Sequence, residues 1–600
     1  MNIKVTILII IAFLFCINLA YAEAAAKPNS GKDLNGININ AFNHKTWEGI
    51  PASRSFPKLL TSYEAGTVDS SFGINGSVRI AMDSTGIFYT TYGNAMAVQQ
   101  DGKILIAGSN QNSLSNDAFV VVRLNPDGTV DKTFGKNGWA ETFISGGTKT
   151  DIADAIAIAP DGRIVLAGFS IINSSQADKF AVARFNADGS IDSTFGNFGS
   201  ISFNIPTGDS LSDYARSVAV QSDGRIILAG SSKEYVYTKY GLNSGTTTSM
   251  VVVRLNPDGT FDGTFGIGGE TRIHYGNDSL YSDARSVLLL SNGKILVAGN
   301  TKQPIDLDNW SYFNVTKLDS DGTIDTTFGT NGTSVVLMSS DSSKIINCHA
   351  AALQQDGKIV LAGTEDDLQF VLTRINADGS PDTTFGNSAI EEVQVIPQYS
   401  FADFIGTCVA LQTDGKIVEG GYAYGLNDFA IARLNSNGTM DTTFGSSGWT
   451  LAGIEGTNQS DNEMYAITIT QDGKILTAGY SEDSQNNYAF CAARFLSSSA
   501  TTAVARTKYS PVKFRLSQNY PNPFNPSTTI NFSIAKSGLV SLKVYNILGE
   551  LVRTLVNKFE NGGEHKIVFD ADNYGLASGV YFYRLKENNF IKTDKMVYLK

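Results

Sequence analysis

One register position in this sequence varies in chemistry while its neighbours barely vary. Seven residues before each of seven Asp-Gly or Asn-Gly turns stand Asn94, Asp154, Arg216, Arg285, His349, Thr407 and Tyr465. An amide, a carboxylate, guanidinium groups, an imidazole, a hydroxyl and a phenol at one level offer different charges and hydrogen bonds, which is what a ligand-binding rim needs. The binding site expected from this column is Asn94, Asp154, Arg216, Arg285, His349 and Tyr465. The same variety is also what solvated strand ends acquire by drift, and both readings stand at this point. The segment SSKEYVYTKYGLNSGTTTS adds Tyr235, Tyr237 and Tyr240 on the longest insertion of the repeat array. These tyrosines suit a sugar- or protein-contacting aromatic patch, or equally packing over a sheet edge.

Catalytic signatures are missing. The chain has no GxSxG elbow, HExxH pair, P-loop or glycine-rich dinucleotide fingerprint. Its four histidines are His44, His274, His349 and His565, so a Ser-His-Asp triad would have to use one of them. Paired carboxylates for glycosidic cleavage stay open, because loops distant in sequence can meet in space. Cys348, Cys408 and Cys491 lie far apart in apolar runs and read as buried thiols rather than a disulfide framework or a zinc set. Calcium is the one metal to weigh, since LDSDGTIDTTFG clusters Asp319, Asp321 and Asp325. Elsewhere Asn125, Asn186, Asn256, Asn376 and Asn435 take the first place, and no glutamate supplies a bidentate ligand. Turn formation by Asn, Asp and Gly accounts for the pattern, so no cofactor is expected, with calcium the lesser alternative.

What must position these residues is a repeat. DGKILIAG-like segments recur seven times, with Gly102, Gly162, Gly224, Gly293, Gly357, Gly415 and Gly473 in the turn, at a period of about 60 residues. A TFG motif also occurs seven times, at Phe72, Phe134, Phe195, Phe265, Phe328, Phe385 and Phe444. The first unit predicts strands at Ser77–Met82, Ala95–Gln99, Lys103–Gly108 and Phe119–Asn125. Asp101-Gly102 forms the hairpin turn between the second and third. Small residues (Ala95, Ala155, Ser217, Ser286, Ala350, Cys408, Ala466) alternate with mostly branched ones in the second strand, which suits sheets packed on both faces. The first TVDSSFG has no fourth strand before it, and the last fourth strand, Phe490–Leu496, has no TFG after it. The N-terminal piece is therefore expected to complete the seventh unit and close a ring, removing exposed edges. The expected fold class is all-β: a seven-bladed β-propeller of four-stranded blades over residues 60–498, followed by a small Ig-like β-sandwich. Each TFG phenylalanine is expected to plug the seam between neighbouring blades. The signature Asp-Gly-Thr-x-Asp-x-x-Phe-Gly resembles the delta-60 repeat of bacterial propeller-like proteins over Leu60–Ser498. That resemblance implies a fold and is almost silent on activity.

The net charge is -12 with 46 Lys/Arg against 58 Asp/Glu, which argues against a nucleic-acid or anionic-membrane partner. The start MNIKVTILIIIAFLFCINLAYA has Lys4, an apolar run and Ala20-Tyr21-Ala22, the pattern of a signal peptide over residues 1–22. A leader at 23–59 follows, and no transmembrane span is expected in the mature chain.

After a small, polar linker at 499–512, Lys513–Lys600 holds 12 Lys/Arg against 7 Asp/Glu and alternates as a sandwich of about seven strands. SQNYPNPFNPSTTI, with Pro521, Pro523 and Pro526, is expected to run extended ahead of the first strand. With YNILGELV, ASGVYFYRL and KMVYLK it closely resembles the type A C-terminal sorting domain of the type IX secretion system of Gram-negative bacteria. That resemblance implies export through periplasm and outer membrane to the medium or cell surface, with the type IX machinery as partner of residues 513–600. The function expected is a secreted or surface, non-catalytic binding or adhesion module for a glycan or surface protein. The alternative is an exported polysaccharide hydrolase or lyase.

Overall fold

The computed structural model describes residues 65–81, 90–111, 117–146, 150–171, 178–206, 210–237, 243–274, 281–302, 311–336, 346–365, 369–386, 390–393, 403–454, 461–483, 487–498, 515–534, 538–560, 563–587 and 590–600. The expected signal peptide, leader and linker lie outside them. Two compact units divide at Ala500 and Thr501.

Unit one is built of four-stranded antiparallel sheets. In the first, Thr90–Val98, Ile104–Gln111, Asp117–Leu124 and Trp139–Thr142 pair in chain order. The same order recurs from Asp151–Ile158, Ile346–Leu353 and Asp403–Leu411. Two further four-strand runs, from Ser210–Val220 and Tyr281–Leu289, are joined by a single parallel bridge at Thr248 and Tyr281. The last sheet breaks chain order: Asn462–Ile469, Ile475–Glu482 and Tyr488–Phe495 take Ser77–Ile80 as their outer strand, with Ser77 opposite Ala493 and Ile80 opposite Phe490. Ser77–Met82, read from sequence with the unit that follows it, therefore ends at Ile80 and belongs to the last sheet. The outer strand of the first sheet is Trp139–Thr142. The cause is the TFG turn, which sends the chain back along the strand it has just left: Gly138 accepts from the Arg123 amide, as Gly76 does from that of Arg494.

The repeated dozen residues are an interlock. In the first sheet the Asp131 carboxylate takes the Arg123 Nε at 2.8 Å and the Lys103 ammonium at 3.2 Å. Its other oxygen caps the Thr133 amide and hydroxyl. The Arg123 guanidinium lies over the Phe134 ring, 4.5 Å from its centre, and its Nη1 reaches across the seam to the Ala187 carbonyl at 2.6 Å. Phe134 is fully buried, and Gly189 of the next sheet sits against it, where a Cβ would come within 2.9 Å of the ring. Gly135, at φ +47, donates to the Asp188 carbonyl across the same seam. Charge, stacking and backbone bonds thus act on one turn, and the aspartate, phenylalanine and glycines cannot vary independently.

Arginine fills the strand position of this clamp in every sheet but one. In the sheet starting at Tyr281–Leu289 it is Lys317, which stands 3.6 Å from Asp325 and 5.5 Å from the Phe328 ring centre. A point-charge ammonium lacks the fork that serves carboxylate and carbonyl together. Lys317→Arg is expected to gain about 1 kcal/mol in unfolding free energy by restoring the bond to the next sheet. Chemical denaturation checks it, and an unchanged midpoint would mean that the cross-seam bond contributes nothing.

Unit two contains a three-stranded sheet (Arg515–Leu516, Ser527–Ile534, Gly563–Asp570) and a four-stranded sheet (Leu551–Glu560, Gly538–Tyr545, Gly579–Glu587, Phe590–Tyr598). Both feed one core around Phe532, Leu542, Phe569 and Tyr583. The proline-rich opening is a run of bends rather than an extended lead-in, with the three X–Pro bonds cis. Buried Asn519 pins it by donating to the Pro521 carbonyl and the Thr528 hydroxyl.

Candidate functional site

The inner strand of each four-stranded unit is an edge strand, beginning at Thr90, Asp151, Ser210, Tyr281, Ile346, Asp403 and Asn462. These edges pack on one another, Thr90–Val98 touching both Asp151–Ile158 and Asn462–Ile469. Every one of them carries a β-bulge, and the extra residue is always the one singled out by chemistry. The register skips Asn94 between Gly93 and Ala95, and in the same way Asp154, Arg216, Arg285, His349, Thr407 and Tyr465. A bulged residue has no cross-strand partner to match, so its type is released from pairing and its side chain is re-aimed. This is why the column varies beside columns that do not. None of the seven is fully buried or fully exposed.

The bulged side chains bridge neighbouring inner strands. Asn94 Nδ2 donates to the Ala153 carbonyl at 3.0 Å, and Thr407 Oγ1 to the Met464 carbonyl at 2.6 Å. Arg216 Nη1 meets Asp154 Oδ2 at 2.6 Å, with its guanidinium 4.9 Å from the Tyr214 ring centre and 5.9 Å from that of Phe169. Arg285 Nε stands 2.7 Å from Asp283 Oδ2. Burial raises the Asp154 carboxyl above the usual carboxylate range, with Arg216 and Arg285 opposing the shift. His349 is lowered to about 4 by burial and then by the Arg285 charge, so its imidazole is neutral at physiological pH. This side of the inner rim is thus a set of paired charges around a neutral histidine.

The other side is aromatic. Tyr465 stacks on Tyr480 at 5.7 Å between ring centres, and Tyr480 meets Tyr92 edge-on at 5.1 Å. Tyr488 lies 5.2 Å from Tyr92, and Tyr422 lies 6.0 Å from Tyr465. The hydroxyls of Tyr465 and Tyr480 both donate to Glu463 Oε2, each at 2.6 Å. Of this group sequence reasoning found only Tyr465. Tyr422 and Tyr480 directly follow the glycine that ends the repeat's third-strand motif, where other copies carry Ser109, Phe169, Ser231, Asn300 or Thr364. Reading that column would have found them.

Tyr235 is 39% exposed and lies away from the rim, on the long hairpin of Ile226–Tyr237 with Asn243–Leu255 and opposite Thr246. The Tyr237 side chain and Tyr240 fall outside the described residues. Asp321 caps Thr323, and Asp325 pairs with Lys294 at 2.8 Å. Among the described residues no group of three or more His, Cys, Asp and Glu is placed to hold a metal, and no helix is long and apolar enough to cross a membrane. Cys348, Cys408 and Cys491 are buried free thiols, with Cys348 and Cys408 pushed up to about 12 by burial.

A family profile described as "Domain of unknown function (DUF5122) beta-propeller" matches residues 99–134, 159–195, 221–265, 290–328, 354–385 and 412–444. Each match runs from hairpin turn to TFG phenylalanine, and the last repeat, whose two halves stand at opposite ends of the array, is not among them. A "Secretion system C-terminal sorting domain" profile matches residues 518–599. No curated protein matches the chain. Among solved structures, PorZ, a surface component of the type IX secretion system of Porphyromonas gingivalis, is similar at 11% identity and a TM-score of 0.34, over 87% of this chain and 61% of that one. A fungal alcohol oxidase of the AA5 family matches at 13% identity and 0.35, over 87% and 98%. The Bacillus subtilis arabinanase Arb43A matches at 12% and 0.27, over 46% and 92%. At these values the likenesses assign no function to this chain. The C-terminal domain implies recognition by the type IX secretion machinery, and with it secretion or surface attachment. The chain is an array of DUF5122 β-propeller repeats ending in a type A sorting domain of the type IX secretion system.

Proposed function

We propose that residues 60–498 form a seven-bladed propeller, exported after removal of a signal peptide, that acts as a non-catalytic recognition module for a glycan or surface protein. Support for the blade count comes from the cyclic contacts of the inner strands and from Ser77–Ile80 completing the last sheet. The observation that carries the binding reading is the bulge. It recurs in every inner strand, and it gathers residues of seven different repeats at one level, free of the pairing that constrains their neighbours. The ligand-contacting set is Asn94, Asp154, Arg216, Arg285, His349 and Tyr465, with Tyr235 and Tyr237 on the long hairpin as a second contact.

A second reading, an exported polysaccharide hydrolase or lyase, is favoured by one observation. Asp154 holds Arg216 at 2.6 Å and Asp283 holds Arg285 at 2.7 Å while also acting on Arg216, so two carboxyl groups share one neighbourhood. A glycan-array and polysaccharide-degradation screen on the purified chain separates the two. Binding without product, weakened at least tenfold by Arg216→Ala or Arg285→Ala, is the expected result. Released oligosaccharide would replace this reading with the enzymatic one, and unchanged affinity in both variants would remove the rim as the site.

A further inference from the structure

The tyrosine group on the inner rim is not something the fold requires. Structural demands here recur in every sheet, as the clamp does, whereas Tyr92, Tyr422, Tyr465, Tyr480 and Tyr488 gather at the seams around the last sheet; among the described residues the one counterpart of the Tyr92 and Tyr480 pair, Phe169 with Tyr214 at 4.9 Å, lies under the Arg216 guanidinium. All five stay partly in water. An aromatic cluster that served packing alone would be buried, since each ring brings a large apolar area to cover. Two of their hydroxyls are fixed by one carboxylate: Glu463 Oε2 accepts from Tyr465 and Tyr480, which holds those rings in place before any ligand arrives. The rings lean on one another by edges and faces, with 89° between Tyr92 and Tyr480 and 22° between Tyr465 and Tyr480. That makes a shelf rather than a box opened around a common centre, so the shape suits a flat partner better than an enclosed organic cation. Carboxylates border it, Glu482 standing across the strand pair from Tyr488 and Glu463 from Tyr480. Both already accept from tyrosine hydroxyls, Glu463 from Tyr465 and Tyr480 and Glu482 from Tyr488, and each carboxylate keeps lone pairs for a further hydroxyl. The shelf also lies at the end of the sheets away from the clamps. Thr90, Gln111 and Asp117 mark that end of the first sheet, whereas Val98, Ile104 and Leu124 mark the clamped one.

We propose that this shelf is a ring-stacking subsite for a neutral saccharide chain, the apolar faces of the sugar rings lying on Tyr92 and Tyr488 and their hydroxyls donating to Glu463 and Glu482. The inference rests on the reading of the inner rim as a binding surface and names its ligand class.

The test is affinity electrophoresis of the full chain in gels holding hydroxyethyl cellulose, arabinoxylan, galactomannan or linear arabinan, with choline chloride as a cationic competitor. Retardation by at least one polysaccharide is expected, with affinity reduced tenfold or more in Tyr92→Ala and in Tyr488→Ala and retained in Tyr488→Phe. If the alanine variants do not fold, Tyr92→Leu and Tyr488→Leu keep the bulk, lose the flat face and are expected to lose the same affinity. Retardation unchanged in the tyrosine variants but lost in Arg216→Ala overturns the shelf and leaves the rim. Choline binding without retention on any polysaccharide overturns it in favour of a cation. No retention and no choline binding overturns it as well, and the glycan-array screen then decides separately whether the rim binds anything.

Discussion

Asp69→Ala is expected to cost about 3 kcal/mol of unfolding free energy, because it removes one partner of a buried ion pair and leaves the other uncompensated. Asp69 is 7% exposed and holds Arg494 Nε at 2.8 Å and the Lys474 ammonium at 2.9 Å. Burial alone would raise its carboxyl, but the bonds from Ser71 and Lys474 and the Arg494 charge bring it down to about 2. Here the two cations come from the last repeat and the aspartate from the start of the array, so the contact closes the array as well as clamping a turn. Asp131→Ala removes the same chemistry within one stretch of chain and is the internal control: a comparable loss of stability, with the array still closed. Urea denaturation and limited proteolysis separate them. Asp69→Ala is expected to make residues 65–81 susceptible to cleavage below the global unfolding transition, and Asp131→Ala is not. A loss under 1 kcal/mol, or equal protection of 65–81 in the two variants, would show that backbone pairing of Ser77–Ile80 alone holds the closure.

The clamp was legible in the sequence because its parts are neighbours in it. Asp131, Thr133, Phe134 and Gly135 sit within one turn, and their chemistry forces them to recur together. The phenylalanine at the seam was expected, whereas the bond that crosses it, from Arg123 to a carbonyl 64 residues away, is not visible in any one repeat. The rim was half legible. The varied column is a sequence fact, but its cause, a bulge, is a pairing property that a single strand does not display. Residues that sequence spacing put into one site divide in space: Asp154 pairs with Arg216, Tyr465 joins tyrosines, and Tyr235 lies away on its hairpin. The tyrosine shelf was hidden because Tyr92 and Tyr488 come together only when the two ends of the array meet. Stability and recognition also separate along each sheet. Invariant charges hold the turn end, and variable groups occupy the bulge, so the repeat can be copied faithfully while one edge changes.

Glu419 is the position where copying failed in the core, and Glu419→Leu is expected to stabilise the protein by on the order of 2 kcal/mol at neutral pH. Ile106, Leu166, Leu228, Val297, Leu361 and Thr477 fill the same place in the other repeats. Glu419 is 0% exposed, and neither carboxyl oxygen meets a donor in hydrogen-bonding geometry among the described residues. Burial pushes its carboxyl well above the usual range, with the Gly363 backbone opposing the shift. The carboxyl has room because its neighbour is Gly406, where a Cβ would stand 2.8 Å from Glu419 Oε1. A carboxyl with a raised folded-state pKa favours folding below its unfolded value of about 4.3, and that stability is lost as pH rises through the folded value. The gap between Glu419→Leu and the unaltered chain should therefore be smallest near pH 4, where only the cost of a buried neutral polar group remains, and widen upward, whereas Glu419→Gln should remove the pH dependence and keep much of that cost. Thermal unfolding of the three proteins between pH 4 and pH 8 measures this. A leucine variant no more stable at pH 8 than the unaltered chain would mean that the carboxyl has found a partner, and would turn an apparent flaw in the sixth repeat into a second place to look for function.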